Sequence, residues 1–309
     1  MTQETKTITE AIKTFLWHCR FEKGLDEKTI QAYRVDLRQV TEIVGEQTDI
    51  FALMKTDIKQ YLQSIAHFKH KTIKRKVATL RSMLNYLECE YDDYINPMRK
   101  MQIKMKEPMR LPIVMTIEEI RHMIDFLYLQ PVRYAKGTYS YMATIRNIAV
   151  IELLFASGMR VSELCNLRNK DVDMASGEVR VIGKGNKERI IQVCQLETLQ
   201  ALRQWIEIKN GANNPQAPFF INRLQRGLST QSVRQMVRHI VSVTGIEKHV
   251  TPHTFRHTFA TLLLEEDVDV RYIQCLLGHS SIATTQIYTH VNPSKQRQIL
   301  QSKHPRRRI

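Results

Sequence analysis

The sequence predicts a mainly α-helical protein of two domains: four helices over residues 1–96, a linker over 97–112, and a larger, mostly helical domain over 113–309 with a small β-hairpin or sheet. Three observations carry this. Glycine is scarce, 11 in 309 residues. Apolar residues recur every 3.6 positions over long stretches, the mark of amphipathic helices. Paired β-branched runs flank a glycine-bearing turn at only one place.

Taken in order, residues 8–21 (ITEAIKTFLWHCRF) put Ile8, Ile12, Phe15, Leu16 and Cys19 on one stripe. Residues 27–44 repeat the pattern with Ile30, Tyr33, Leu37, Val40 and Val44. Two more helices fit 56–66 and 71–91, the second burying Val77, Leu80, Leu84 and Leu87. From Asn96 to Pro112 the chain reads NPMRKMQIKMKEPMRLP, proline- and lysine-rich without a period, which ends one domain and begins another. A helix over 116–129 opens the second domain, with Thr116 and Glu119 at capping-box spacing. A polar, aromatic-rich insertion follows, then an apolar helix over 146–157 that Gly158 ends. EVRVI and ERIIQV around GKGNK predict the hairpin, and helical periodicity resumes after residue 195.

Composition narrows the function classes. Hydrophobic residues make up 43% and charged residues 25%, enough to bury a core. No run reaches the ~20 apolar residues of a membrane span, and MTQETKTITE has no basic-then-apolar leader, so a cytoplasmic protein is expected. Cys19, Cys89, Cys165, Cys194 and Cys275 are odd in number and widely spaced, with no CxxC pair. Neither a disulfide framework nor a zinc site is indicated. The net charge is +15, of which the first 105 residues hold +4 and the remainder +11. Such an excess points to a polyanion, and nucleic acid leads because phosphate contacts dominate its binding. Lys69, Lys71, Lys74, Arg75 and Lys76 crowd a helix start, where cations oppose the helix dipole. A solvated helix face or contact with a phosphate backbone would each account for the cluster, and the opposed dipole favours the phosphate.

The candidate chemistry lies in the second domain. In TPHTFRHTFATLLL, Thr251 and Pro252 suit a helix start, and His253 and Arg256 fall three apart in its first turn. Free N–H groups and the dipole make that end a ready anion site. Arg160 follows Gly158 where the next helix begins, and Glu163 lies three residues further on. Lys184 stands between Gly183 and Gly185 at the hairpin tip, where backbone can approach a ligand. In QCLLGHSSIATTQIYTH, Gly278 ends a helix, His279 follows, and Tyr288 lies beside Thr284, Thr285 and Gln286, too polar a set for a core helix. Each signal alone is common.

Together and in this order, GMRVSEL, GKGNKER, HTFRHTFAT, LLGHSS and QIYTHV resemble the tyrosine recombinase (phage integrase) family. EKTIQAYRVDLRQV is similar to its SAM-like core-binding domain, and KHPRRR to the tail of Xer-type members. The resemblance implies a catalytic domain at 113–309 that cleaves and rejoins DNA, for integration, excision or chromosome-dimer resolution. Tyr288 would be the nucleophile of a 3′-phosphotyrosyl intermediate. Arg160 and Arg256 would clamp the phosphate, with His253 as base or acid, His279 as phosphate donor and Lys184 as general acid. Glu163 would orient Arg160. No cofactor or metal is implied. The partners would be double-stranded recombination sites, bound by a homotetramer, or a heterotetramer with a second recombinase, in the nucleoid. The C-terminal tail would dock on a neighbouring protomer. The alternatives are a type IB topoisomerase-like DNA-relaxing enzyme and a catalytically silent DNA-binding protein.

Overall fold

The computed structural model describes residues 6–103, 112–183, 188–209, 211, 213–278 and 293–308, with the backbone alone at 293–296. The chain divides into two compact units, residues 1–110 and 111–309.

The first unit packs α1 (Ile8–Phe21), α2 (Glu27–Val44), α3 (Lys55–Ser64) and α4 (His70–Glu90). Thr7 and Glu10 cap α1 reciprocally, so its start is fixed by sequence. Asp26 caps α2 by accepting from the Thr29 N–H at 2.9 Å. The stripes meet in a core of Phe15, Leu37, Tyr61, Leu80 and Leu87. Asp36 is also fully buried, which the apolar stripe of α2 did not predict. Met98, Met101 and Ile103 still pack on this core. Structure therefore continues past Asn96, whose side-chain oxygen accepts the Met98 N–H.

The second unit is built around α6 (Tyr139–Ser157), whose last thirteen residues are buried almost all round. Against α6 pack α5 (Ile117–Leu129), α8 (Leu196–Ile208) and α10 (Pro252–Glu265). The sequence predicts α6 to begin near 146, but it begins seven residues earlier. Thr138 caps it by accepting the Tyr141 N–H, and Thr138, Tyr139 and Ser140 are exposed, so no apolar period marks the start. α7 (Val161–Asn166) leads to an antiparallel sheet of β1 (Val172–Asp173), β2 (Glu178–Ile182) and β3 (Glu188–Gln192), in the order β1-β2-β3. The hairpin is as predicted, with Val179 opposite Ile191 and Val181 opposite Arg189; β1 is an additional short edge.

Periodicity does not resume fully after 195. Between α8 and α9 (Thr230–Val243) an irregular, proline-bearing stretch makes isolated bridges, Arg168 with Pro218 and Ile221 with Gly227. α11 (Val270–Leu277) and α12 (Pro293–Lys303) complete the unit. The described part of the tail seats on its own unit. Leu300 is buried among Phe259, Leu263 and Leu276. His304 is buried against Phe155 and Phe259, and Arg306 pairs with Glu152 at 2.9 Å. Among the described residues no helix is long and apolar enough to cross a membrane.

Candidate active site

Arg160, Glu163, His253 and Arg256 fall among the described residues; Lys184, His279 and Tyr288 lie outside them. The four described side chains gather where α6 and α11 end. Both helices terminate on a left-handed glycine, Gly158 at φ 58° and Gly278 at φ 63°. A Cβ on Gly158 would sit 2.6 Å from the Phe259 ring and 2.8 Å from Leu277, so only glycine allows α6 to stop here.

A helix C-terminus leaves carbonyls unpaired at the negative end of its dipole, and a guanidinium satisfies both conditions. Arg256 is 5% exposed. It donates from Nη1 to the Gly158 carbonyl at 2.9 Å and from Nη2 to the Leu277 carbonyl at 2.6 Å. Arg160 donates from Nη2 to the next carbonyl, Gly278, at 3.0 Å. One arginine thus ties α6 to α11, and a second grips the residue from which the chain leaves toward His279 and Tyr288. Burial, then the neighbouring Arg160 and Arg189, pulls Arg256 down to about 10, so it stays protonated at neutral pH.

Glu163 supplies the balancing charge. Its carboxylate caps α7 by accepting the Arg160 N–H at 2.8 Å, and takes Arg160 Nη1 at 2.8 Å. It also receives both terminal nitrogens of Arg189 at 2.8 Å each, a fork-on-fork pair. Burial alone would raise this carboxyl, but the Arg189 and Arg160 contacts outweigh it and hold it at about 2. The group is ionised throughout the physiological range. His253, in the first turn of α10, is exposed. Partial burial, then the nearby His257, Arg256, Arg234 and Arg160, lowers its pKa below the ordinary imidazole value. It is therefore neutral near pH 7 and able to accept a proton.

Arg189 is the functional candidate that the motifs did not single out. It belongs to GKGNKER, but its pairing to Glu163 spans 26 residues and depends on how β3 faces α7, so the segment alone points only to Lys184. Its guanidinium also packs on Gly278, where an added Cβ would meet it at 3.0 Å.

The α4 cluster divides. Lys69, Lys71, Lys74 and Arg75 are exposed. Lys76 is not: its side chain is 3% exposed and its ammonium lies 3.0 Å from the buried Asp36 carboxylate. Helical period carries position 76 inward with Leu80 and Met83, and a buried ammonium persists only when paired. Arg75 also contacts Asp36, and Thr79 donates its hydroxyl to it. Lys76 is thus corrected from a DNA contact to part of the interior, leaving Lys69, Lys71 and Lys74 as the free face of the cluster.

Comparison with known proteins agrees with this organisation. Residues 115–295 match the phage integrase family, and residues 12–90 its N-terminal SAM-like domain. A tyrosine recombinase of Agathobacter rectalis is 42% identical over 300 residues, covering 96% of each chain. The tyrosine recombinase XerD of Halalkalibacterium halodurans is 35% identical, covering 97% of this chain and 99% of its own. Among solved structures, the Tn1549 transposon integrase in complex with transposon right end DNA superposes with a TM-score of 0.70 at 20% identity, over 96% of this chain and 99% of its own. That likeness speaks for the fold alone. With the family match spanning the unit that holds the arginine cradle, and relatives of this identity aligned over nearly the whole chain, the protein belongs to the phage integrase family and is a Xer-like tyrosine recombinase.

Proposed function

We propose that this recombinase cleaves duplex DNA with Tyr288 as nucleophile, and that Arg160, Arg256, His253, His279 and Lys184 serve that step. The tyrosine oxygen attacks the scissile phosphorus, forming a 3′-phosphotyrosyl bond while the bond to the 5′-oxygen breaks. The phenol proton passes to His253, and Lys184 gives a proton to the leaving 5′-oxygen. The reverse displacement by a 5′-hydroxyl rejoins the strand, and because the ester conserves the bond energy, no nucleotide cofactor is consumed. Arg160 and Arg256 neutralise charge building on the non-bridging oxygens, in the manner of other preorganised anion clamps.

The observation that carries this reading is the pair of guanidiniums fixed on the carbonyls of Gly158, Leu277 and Gly278. An anion clamp must be rigid before its substrate arrives, and these donors are immobilised by backbone and by Glu163. Exposed cations on α4 and the excess of +11 after residue 105 fit a duplex substrate. Two duplexes each require two cleavages, so four protomers are the functional assembly.

The test is covalent capture on nicked duplex carrying the chain's own recombination site. The wild-type chain should give a denaturant-resistant protein–DNA adduct at the 3′ end. Tyr288→Phe should abolish the adduct while leaving DNA affinity nearly intact. Normal adduct yield from Tyr288→Phe would refute the assignment.

A further inference from the structure

Acidic residues are absent from two long segments of the second unit. No Asp or Glu occurs between Asp125 and Glu152, or between Glu207 and Glu247. The fold brings parts of these segments together. The insertion before α6 is exposed from Val132 to Ser140, and the turn between Ile221 and Leu228 is exposed from Arg223 to Gly227. Arg223 lies over the Tyr139 ring, 5.8 Å from its centroid. Buried Arg146 bridges the two from below, donating Nη1 to the Ile221 carbonyl at 3.1 Å and to the Tyr139 hydroxyl at 3.4 Å. The surface they share presents Arg133, Lys136, Arg223 and Arg226, and among the described residues no carboxylate forms an ion pair with any of them.

The turn is also held rigid. Asn222 accepts the N–H groups of Leu224 and Arg226 on its side-chain oxygen and donates its own N–H to the Arg226 carbonyl at 2.8 Å. Gln225 adopts φ 57°, a left-handed conformation that favours glycine. A fixed turn with an arginine braced on a tyrosine ring has already lost much of the freedom that binding would remove. Exposed cations on joined segments with no paired carboxylate leave a local excess of positive charge, which a polyanion neutralises. Leu228 leads directly into α9, whose Arg234 lies near enough to His253 to lower its pKa. The patch and the candidate site are therefore joined through one helix.

We propose that the insertion and the 222–226 turn form a second phosphate-binding surface, which grips the backbone of the same duplex that the candidate active site cleaves. Arg133, Lys136, Arg223 and Arg226 contact phosphates, and the Tyr134 and Tyr139 hydroxyls are placed to add hydrogen bonds. The inference rests on the proposed action on DNA and adds to it a site outside the recombinase motifs.

The test is a titration of the full chain against a labelled duplex containing the recombination site, at a series of salt concentrations. Each phosphate released from contact should flatten the log Kd against log salt slope by about 0.9. The fourfold variant R133Q/K136Q/R223Q/R226Q should therefore lose between about 1.8 and 3.6 of slope, and hydroxyl-radical footprinting should show lost backbone protection. All four side chains are exposed; should the combination nevertheless unfold, Arg223→Gln and Lys136→Gln singly should each flatten the slope by about 0.9. A slope and footprint unchanged from wild type would overturn the proposal and return the patch to another partner or to solvent. A wild-type chain that fails to bind the duplex at all would instead overturn the action on DNA.

Discussion

Glu163→Gln removes the one negative charge that the described residues place in the arginine cradle, while keeping the shape of the side chain. The carboxylate is 2% exposed and receives three guanidinium hydrogen bonds of 2.8 Å and one backbone bond of 2.8 Å. Burial alone would lift its pKa; Arg189 first, and then Arg160, more than reverse this and hold it at about 2 against an ordinary 4.5. At ~1.4 kcal/mol per unit, ionisation in this setting stabilises the fold by about 3 kcal/mol at neutral pH. The folded value lies below the unfolded one, so this contribution is complete above about pH 4.5 and disappears as the pH falls through 2. The amide also leaves Arg189, 15% exposed and with its Nε making no hydrogen bond among the described residues, facing Arg160 without the Glu163 charge. Losing one partner of a buried ion pair costs ~3–5 kcal/mol, which agrees in scale.

The chain has two tryptophans, one in each unit: Trp17 on α1 and fully buried Trp205 on α8. In a Trp17→Phe background, urea unfolding followed by fluorescence therefore reports the second unit alone. Glu163→Gln should lower its stability by about 3 kcal/mol at pH 7, with the difference shrinking as pH drops below 4.5. Adduct formation should slow, because Arg160 loses the contact that aims it. A loss below about 1 kcal/mol at pH 7, within the range of an exposed pair, would refute the reasoning.

Gly158→Ala should cost about 2–4 kcal/mol, from left-handed strain and a Cβ 2.6 Å from Phe259, read as a lower urea midpoint at Trp205. Lys209 is buried and held at about 8 by desolvation, below its unfolded 10.5. Between pH 8 and 10.5 the unfolded chain binds more protons, so stability should rise with pH there, and Lys209→Met should remove that slope. Asp36→Asn should destabilise the first unit by about 3–5 kcal/mol, because buried Lys76 loses its carboxylate; Trp17 fluorescence during urea unfolding in a Trp205→Phe background reads this. Cleavage by Lys184→Ala should recover on a substrate with a bridging sulfur at the 5′ position, which leaves without a proton donor, whereas Arg160→Ala should not recover.

Local rules made the elements legible and failed where distant residues decide. α1, α2 and α5 start where Thr7, Asp26 and Thr116 place them, since a cap and its partner lie within one turn. The β2–β3 hairpin was legible for the same reason. The early start of α6 was hidden because Thr138, Tyr139 and Ser140 at its start are polar and exposed. The site was half legible: Arg160 after Gly158, and His253 three residues from Arg256, follow from helix boundaries. Arg189 could not be found that way, as its partner is 26 residues distant. Lys76 misled for a like reason, since the Asp36 that buries it is 40 residues upstream on another helix.

The tail seat was equally illegible, yet it clarifies how the site is built. The last two turns of α6 carry three unrelated attachments. Glu152 receives Tyr128, Thr198 and the tail's Arg306. The Ala156 carbonyl takes Nε2–H of His304, whose Nδ1 accepts the Arg306 N–H; burial holds this ring near pKa 4, so it is neutral and can fill both roles. The Gly158 carbonyl takes Arg256. The segment bearing Tyr288 leaves the described chain at Gly278, gripped by Arg160, and returns through α12 to Leu300, His304 and Arg306. Both of its ends are therefore referenced to one buried, rigid helix. An error in the position of α6 would move the arginine cradle, Gly278 and the tail seat together, which preserves their mutual geometry. That is the physical advantage of hanging the cradle and the tail on the same two turns, and Gly158, whose carbonyl takes Arg256 and whose Cα faces Phe259 and Leu277, sits where they meet.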